Sequence, residues 1–224
     1  VAIEARKIGR SAGGLDIVCK KLTLGPKNLL LIGGVHGDEP EGFGLVERFV
    51  KEETFKELDG IAAVFAVERL NPDGCAKNER RNDRMVDLNR NMPTKDWDPK
   101  AHKERYAPGP SPASEPETKA LIAFIEAIKP AAIVSAHSWN PMINYNGPCR
   151  AWAEYYGQLT GYRMADDIGY PTPGSLGTWA GWERKIPTIT LEIQKDLPLE
   201  QVWALHGNAL LKALIFAATK ESLE

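Results

Sequence analysis

His36-Gly37-Asp38-Glu39 places an imidazole and a carboxylate three residues apart, directly after the apolar run Leu29-Leu30-Leu31-Ile32-Gly33-Gly34. A tight turn can aim both side chains at one point. A second imidazole, His137, follows another apolar run, Ala131-Ala132-Ile133-Val134-Ser135-Ala136. Two imidazoles and one carboxylate are a ligand set that hydrolytic zinc sites use, with a position left open for water. The chain has only four histidines, and two of them fall at the ends of expected strands. His102, among Lys100, Lys103 and Arg105, is expected to be solvated. His206 is expected to have a surface or packing role. Asp38 is expected to bond backbone amides in its own turn.

Amide hydrolysis at such a metal also needs a base for water, a charge partner for the oxyanion and a grip on the substrate. Glu192 follows the apolar segment Ile189-Thr190-Leu191. A carboxylate there is costly unless paired or functional, which makes it the candidate general base; an edge-strand glutamate facing solvent is the bland alternative. Arg80, Arg81, Arg84 and Arg90 crowd into eleven residues. Guanidinium forks match carboxylates bidentately, so a substrate with a free carboxylate is expected. Asn89 and Asn91 could add neutral hydrogen bonds to it. Arg81 is expected to be a solvated loop residue.

The elements that must hold these residues follow from periodicity. Residues 2–8 and 15–20 read as a strand pair, and 28–33, 61–67, 130–136 and 186–193 as buried strands. Helices are expected over 40–54, 115–128 and 199–219. The second starts at Ser114-Glu115-Pro116-Glu117, with Ser114 as N-cap. Segments 71–113 and 138–150 read as long and irregular, where function often sits. The alternation points to one domain, residues 1–224, with a mixed α/β sheet flanked by helices. The suspect residues lie at strand ends or in long loops, where such sheets bind ligands.

The chain has 224 residues, with 28 basic and 30 acidic side chains, a formal net charge of −2. No global field favours nucleic acid or an anionic membrane, so neither is an expected partner. No stretch reads as membrane-spanning and no signal peptide is visible. Cytoplasmic location is expected, with periplasm or export left open because the chain begins at Val1. Three cysteines are too few and too odd for a disulfide framework. Free thiols are expected, with a Cys75–Cys149 bridge left open. The oligomeric state is left open.

His36-x-x-Glu39, Asn71-Pro72-Asp73-Gly74, Arg80, Asp87-Leu88-Asn89-Arg90-Asn91, His137 and Glu192 occur in the order found in the zinc carboxypeptidase family, which the chain resembles over residues 36–192. Ile8-Gly9-Arg10-Ser11 is similar to that family's N-terminal segment. Within the family it looks most like the bacterial murein peptide amidases, through Asn71–Cys75, Val86–Asn91, Ser114–Thr118 and Gly169–Trp179. The resemblance implies an α/β/α sandwich with a mixed, mainly parallel central sheet and one Zn2+ per chain on His36, Glu39 and His137. It implies Glu192 as base for zinc-activated water, Arg80 at the oxyanion, Asn89 and Arg90 on the leaving residue's carboxylate, and Tyr170 as a mobile cap. The implied substrate is a murein tripeptide or related peptidoglycan peptide, cut between γ-D-glutamate and meso-diaminopimelate. Arg84 and the 172–178 loop are the expected partners of the extra charges on diaminopimelate. The segment 138–145 departs from the murein amidases and leaves fine specificity open. The rivals are a carboxypeptidase for ordinary peptides, a deacylase like aspartoacylase or succinylglutamate desuccinylase, and, ranked last, a peptide-binding module without turnover.

Overall fold

Leu29 to Ile32 are all buried, and they alternate between two cores. Leu29 and Leu31 join one core and Leu30 and Ile32 the other, as expected for a strand covered on both faces. The computed structural model describes residues 3–100 and 103–224; Ala2 of the expected first strand and the solvated reading of His102 lie outside them. Eight strands form one sheet: β1 Glu4–Arg10, β2 Asp16–Lys21, β3 Lys27–Ile32, β4 Ala62–Val67, β5 Ala132–Trp139, β6 Met142–Asn146, β7 Met164–Ala165 and β8 Thr188–Gln194. Their order is β1-β2-β4-β3-β5-β8-β6-β7. The pairs β3/β4, β3/β5, β5/β8 and β6/β7 are parallel, and the others antiparallel.

Helices α1 Pro40–Lys51, α4 Arg150–Thr160 and α5 Leu199–Thr219 pack on one face, and α3 Pro116–Ile128 on the other. The expected α/β/α sandwich with a mixed, mainly parallel sheet is therefore the fold observed. Helix α5 is long and apolar enough to cross a membrane by length and composition, contrary to expectation. Its apolar side, with Val202, Leu210, Leu211 and Leu214, lies in the core.

Other differences are instructive. The segment 138–150 is not irregular: β5 runs on to Trp139, and Met142–Asn146 pairs with β8. Helix α4 escaped the sequence reading although Trp152, Ala153 and Tyr156 form its buried stripe. Ser114 is not the N-cap of α3. Asn91 Oδ1 takes the amide of Glu115 instead, and Ser114 Oγ donates to the Glu115 carboxylate. The three cysteines are free, so no Cys75–Cys149 bridge exists.

His206 is fully buried on α5, edge-on to the rings of Tyr156 and Tyr162. Neither ring nitrogen has a hydrogen-bond partner among the described residues, and burial pulls its pKa down to about 4. In the unfolded chain an imidazole titrates near ~6.5. Between these values the unfolded state binds more protons, so stability falls as pH drops, by ~3 kcal/mol at the lower limit. His206→Phe is expected to remove that slope. Urea unfolding of both proteins from pH 7 to pH 4.5 checks it; parallel stability profiles would sink the assignment.

Candidate metal centre and substrate cavity

The site forms where β3 and β5 end side by side, the crevice in which open α/β sheets place their ligands. His36 sits in the turn after β3, and Glu39 stands at the N-cap position of α1. That turn lies against the start of α2, Pro72–Lys77: a side chain at Gly37 would come within 2.0 Å of the Gly74 backbone. Asn71 caps α2 by accepting the Gly74 amide at 2.9 Å, and Asp73 accepts that of Gly13. The Asn71-Pro72-Asp73-Gly74 motif thus builds the floor under the turn.

The three expected ligands converge. His36 Nδ1 is 2.9 Å from Glu39 Oε1, His137 Nδ1 is 2.9 Å from Glu39 Oε2, and the two Nδ1 atoms are 3.0 Å apart. All three side chains are buried. They form a group that could hold a metal ion. Zinc bonds of ~2.1 Å in a tetrahedral site put ligand atoms roughly 3.3 Å apart, close to this spacing. The outer nitrogens are oriented as metal-binding imidazoles require: His36 Nε2 lies 3.0 Å from Asp87 Oδ1, and His137 Nε2 is 3.0 Å from Ser135 Oγ. The residues fit a zinc ion. Burial opposes ionisation of Glu39, but His36 and His137 outweigh it and hold its carboxyl well below the usual range.

Asp87 carried no expected role, although it opens the Asp87–Asn91 motif. It is fully buried and takes Arg80 Nε at 2.9 Å on its other oxygen. Burial alone would raise its pKa, but Arg80 and His36 draw it far down. Arg80 Nη1 also reaches Glu39 Oε1 at 2.9 Å. His36, Glu39, Asp87 and Arg80 therefore form one buried network of alternating charge.

Glu192 lies in register opposite His137, on β8 between β5 and β6. The edge-strand alternative is excluded. The side chain lines the same cavity as the metal group. Burial, reinforced by Glu39 and opposed by His137, pushes its carboxyl up to about 7, where a general base works best near neutral pH.

Asn89 and Arg90 also line this cavity, whose volume is about 140 Å³. Asn89 Oδ1 accepts the Leu176 amide at 2.8 Å, which leaves its Nδ2 for a ligand. Arg90 is 5% exposed and donates to Asn89 O. Among the described residues no carboxylate lies within ion-pair distance of it. Tyr170 stands at the mouth, edge-on to Trp139 with ring centroids 5.6 Å apart.

Several expectations fail here. Arg84 does not line the cavity; it is exposed and lies 3.9 Å from Glu115. Asn91 is wholly internal, donating to Pro108 O, Ser111 O and Ser114 Oγ. Arg81 is not solvated but pairs with Glu79 and Glu104. Asp38 binds Arg105 rather than backbone amides. Conversely, the fold adds Arg105, Tyr106, Trp139 and Lys195 to the cavity wall, and Thr172 of the expected 172–178 loop lines it too. For Arg105 and Tyr106 the only signal was the length of the 71–113 loop, and for Trp139 the departure of the segment after His137; Lys195 had none. A larger recess of about 520 Å³ adjoins the cavity, sharing Arg90, Tyr106, Trp139 and Tyr170.

A His-Glu-His group at the crevice of a mainly parallel sheet, faced by a buried glutamate, defines a metal-dependent hydrolase of the zinc carboxypeptidase-like fold. Residues 2–155 match the zinc carboxypeptidase family model, and the chain belongs to that family and is a zinc metallopeptidase or amidase by class. The match reaches His36, Glu39 and His137 but ends before Glu192. Murein peptide amidase A of Vibrio campbellii is 33% identical over 203 residues, 83% of this chain and 76% of that protein. The Escherichia coli K12 enzyme of the same name is 33% identical over 196 residues, covering 81% and 78%. The crystal structure of murein-tripeptide amidase MpaA from Escherichia coli O157 has a TM-score of 0.78 at 26% identity, covering 94% and 91%. Thrombin-activatable fibrinolysis inhibitor, TM-score 0.80 at 19% identity, shares the fold.

Proposed function

We propose that this protein is a zinc amidase that cleaves the γ-D-glutamyl–meso-diaminopimelate bond of murein peptides. The observation that carries the reading is Arg90, a buried guanidinium without an acidic partner among the described residues, next to a base poised near neutrality. A buried cation of this kind is costly unless an anion arrives to meet it. The similarity to murein peptide amidases supports the choice of substrate.

His36, Glu39 and His137 would hold one zinc ion, which supplies Lewis-acid polarisation of the carbonyl and a more acidic water. Arg90 and Asn89 hold the leaving residue's carboxylate and so fix the amide in register. Arg80, clamped by Asp87 and Glu39, has Nη2 free of protein partners among the described residues and offers it to the developing oxyanion. Glu192 takes the proton of the attacking water and delivers it to the leaving amine. Tyr170 covers the mouth. Behind Glu192 a small recess is lined by Asn144, Asn146, Thr172, Ser175 and Thr190. Those neutral hydrogen-bonding groups, with Thr172 and Ser175 from the 172–178 loop, offer partners to the polar end of the leaving residue.

Incubating the zinc-loaded protein with L-Ala-γ-D-Glu-diaminopimelate is expected to release free diaminopimelate, with little turnover of unmodified L-peptides. Arg90→Met is expected to lower kcat/KM roughly 10- to 100-fold through loss of a charge-assisted pair. Preferential release of C-terminal residues from the L-peptides would replace this reading with that of an ordinary carboxypeptidase.

A further inference from the structure

Four cationic side chains line the metal cavity: Arg80, Arg90, Arg105 and Lys195. The proposed chemistry uses two of them. Arg80 is committed to Asp87 and Glu39, and Arg90 to the leaving group's carboxylate. Arg105 and Lys195 remain. Both are drawn to one residue of the metal-binding turn: Arg105 Nη2 lies 3.2 Å from Asp38 Oδ2, and Lys195 Nζ 3.4 Å from Asp38 O. Asp38 neutralises at most one of them. Among the described residues Lys195 has no carboxylate within 4.0 Å, so the wall carries a surplus positive charge beside the ligands. Tyr106 helps to hold the arrangement. The guanidinium carbons of Arg80, Arg90 and Arg105 lie 5.2, 5.3 and 5.5 Å from its ring centre, within the range in which an aromatic face attracts cations.

We propose that Arg105 and Lys195, gathered on Asp38, form a second anion subsite that takes a carboxylate on the acyl side of the scissile amide. The proposal rests on the murein-amidase reading and deepens it. A γ-linked glutamate keeps its α-carboxylate free, roughly 5 Å from the reacting carbonyl carbon across a few ~1.5 Å bonds. An α-linked peptide presents a carboxylate at that reach only where the acyl residue is itself acidic, and a neutral group otherwise. Two cations on the cavity wall thus favour a γ-linked glutamate over neutral acyl residues by charge, while Asn89 and Arg90 secure the leaving residue. The second carboxylate of diaminopimelate is the rival occupant, and the probe with that carboxylate amidated separates the two.

The test uses three probes: L-Ala-γ-D-Glu-diaminopimelate, its analogue with D-isoglutamine on the acyl side, and its analogue with the distal diaminopimelate carboxylate amidated. Affinities are measured by calorimetry on zinc-loaded protein in a Glu192→Gln background, and hydrolysis on the parent enzyme. The isoglutamine probe is expected to bind roughly 10- to 100-fold more weakly than the parent peptide. Adding Arg105→Met and Lys195→Met is expected to abolish that difference, and Arg105→Lys to restore part of it. In hydrolysis the double variant should raise KM with little change in kcat. Equal binding of the parent and isoglutamine probes overturns the subsite. So does a uniform fall for all three probes in the double variant, or a loss confined to discrimination against the distal amide. Failure of the parent peptide to bind also overturns it. If the parent peptide binds with the expected discrimination but is not hydrolysed by the unsubstituted enzyme, the subsite stands and the amidase reading fails.

Discussion

Glu192→Gln is expected to lower kcat on the murein tripeptide by ~10³, within the range that a positioned acid–base group supplies. Glutamine keeps the shape and one acceptor oxygen but cannot take the proton. Glu192 lies outside the His36–Glu39–His137 group, so the variant should retain zinc. The Glu39→Ala/His137→Ala double variant should lose it. A second, opposite effect sharpens the test. Burial pushes the Glu192 carboxyl up to about 7, against ~4.3 in an unfolded chain. A raised carboxyl stabilises the fold fully below the unfolded value, and that contribution disappears as pH rises through the folded one. The metal-free variant should therefore be more stable than the metal-free parent at pH 8, by up to ~3 kcal/mol. Sites commonly trade stability for activity in this way. Full activity in Glu192→Gln, measured by diaminopimelate release, would remove it as the base; equal stability at pH 8 would remove the desolvation argument.

Asp87→Ala is the second large expected effect, and it falls on a residue that touches no substrate. Asp87 holds His36 through one oxygen and Arg80 through the other, at 3.0 and 2.9 Å, and is completely buried. Its removal strands a buried guanidinium with Glu39 as sole carboxylate partner and releases the His36 ring. Breaking such a buried pair costs about 3–5 kcal/mol. Losing the hydrogen bond behind a metal-binding imidazole costs about 10- to 100-fold in metal affinity. Asp87→Asn separates the two: the side-chain oxygen can still orient His36, while the charge opposite Arg80 is gone. Zinc affinity should then recover more than stability does. Chelator competition and urea unfolding measure both. An alanine variant within about 1 kcal/mol of the parent and unchanged in zinc affinity would show that the network is incidental.

Local chemistry was legible in the chain itself. The spacing of His36 and Glu39, and the apolar runs before them and before His137 and Glu192, already placed three metal-binding candidates and a carboxylate at strand ends. Six of the eight strands and the helices α1, α3 and α5 follow from short apolar runs or a 3.6-residue period, both short-range properties of the sequence. The missed pieces have weak local signals. Strand β6 is short and its neighbour β7 has two residues; α4 carries Gly157 and Thr160 within eleven residues.

The arginines show the limit most clearly. Arg80, Arg81, Arg84, Arg90 and Arg105 are one residue type in one irregular segment, and composition cannot rank them. Their fates depend on distant partners: Arg80 on Glu39, Arg105 on Asp38, Arg84 on Glu115. Such pairings arise only when the 71–113 loop is laid against the turn after β3. Residue types and spacing by themselves determined that a His-Glu-His set and a strand-borne glutamate exist. Tertiary structure alone decided that Glu192 is interior and poised near neutrality, that Asp87 joins His36 to Arg80, and that Arg105 and Lys195 reach the cavity. The reason is physical: a pKa and an ion pair depend on the burial and charges brought within a few ångströms, and here those come from residues far apart in the chain.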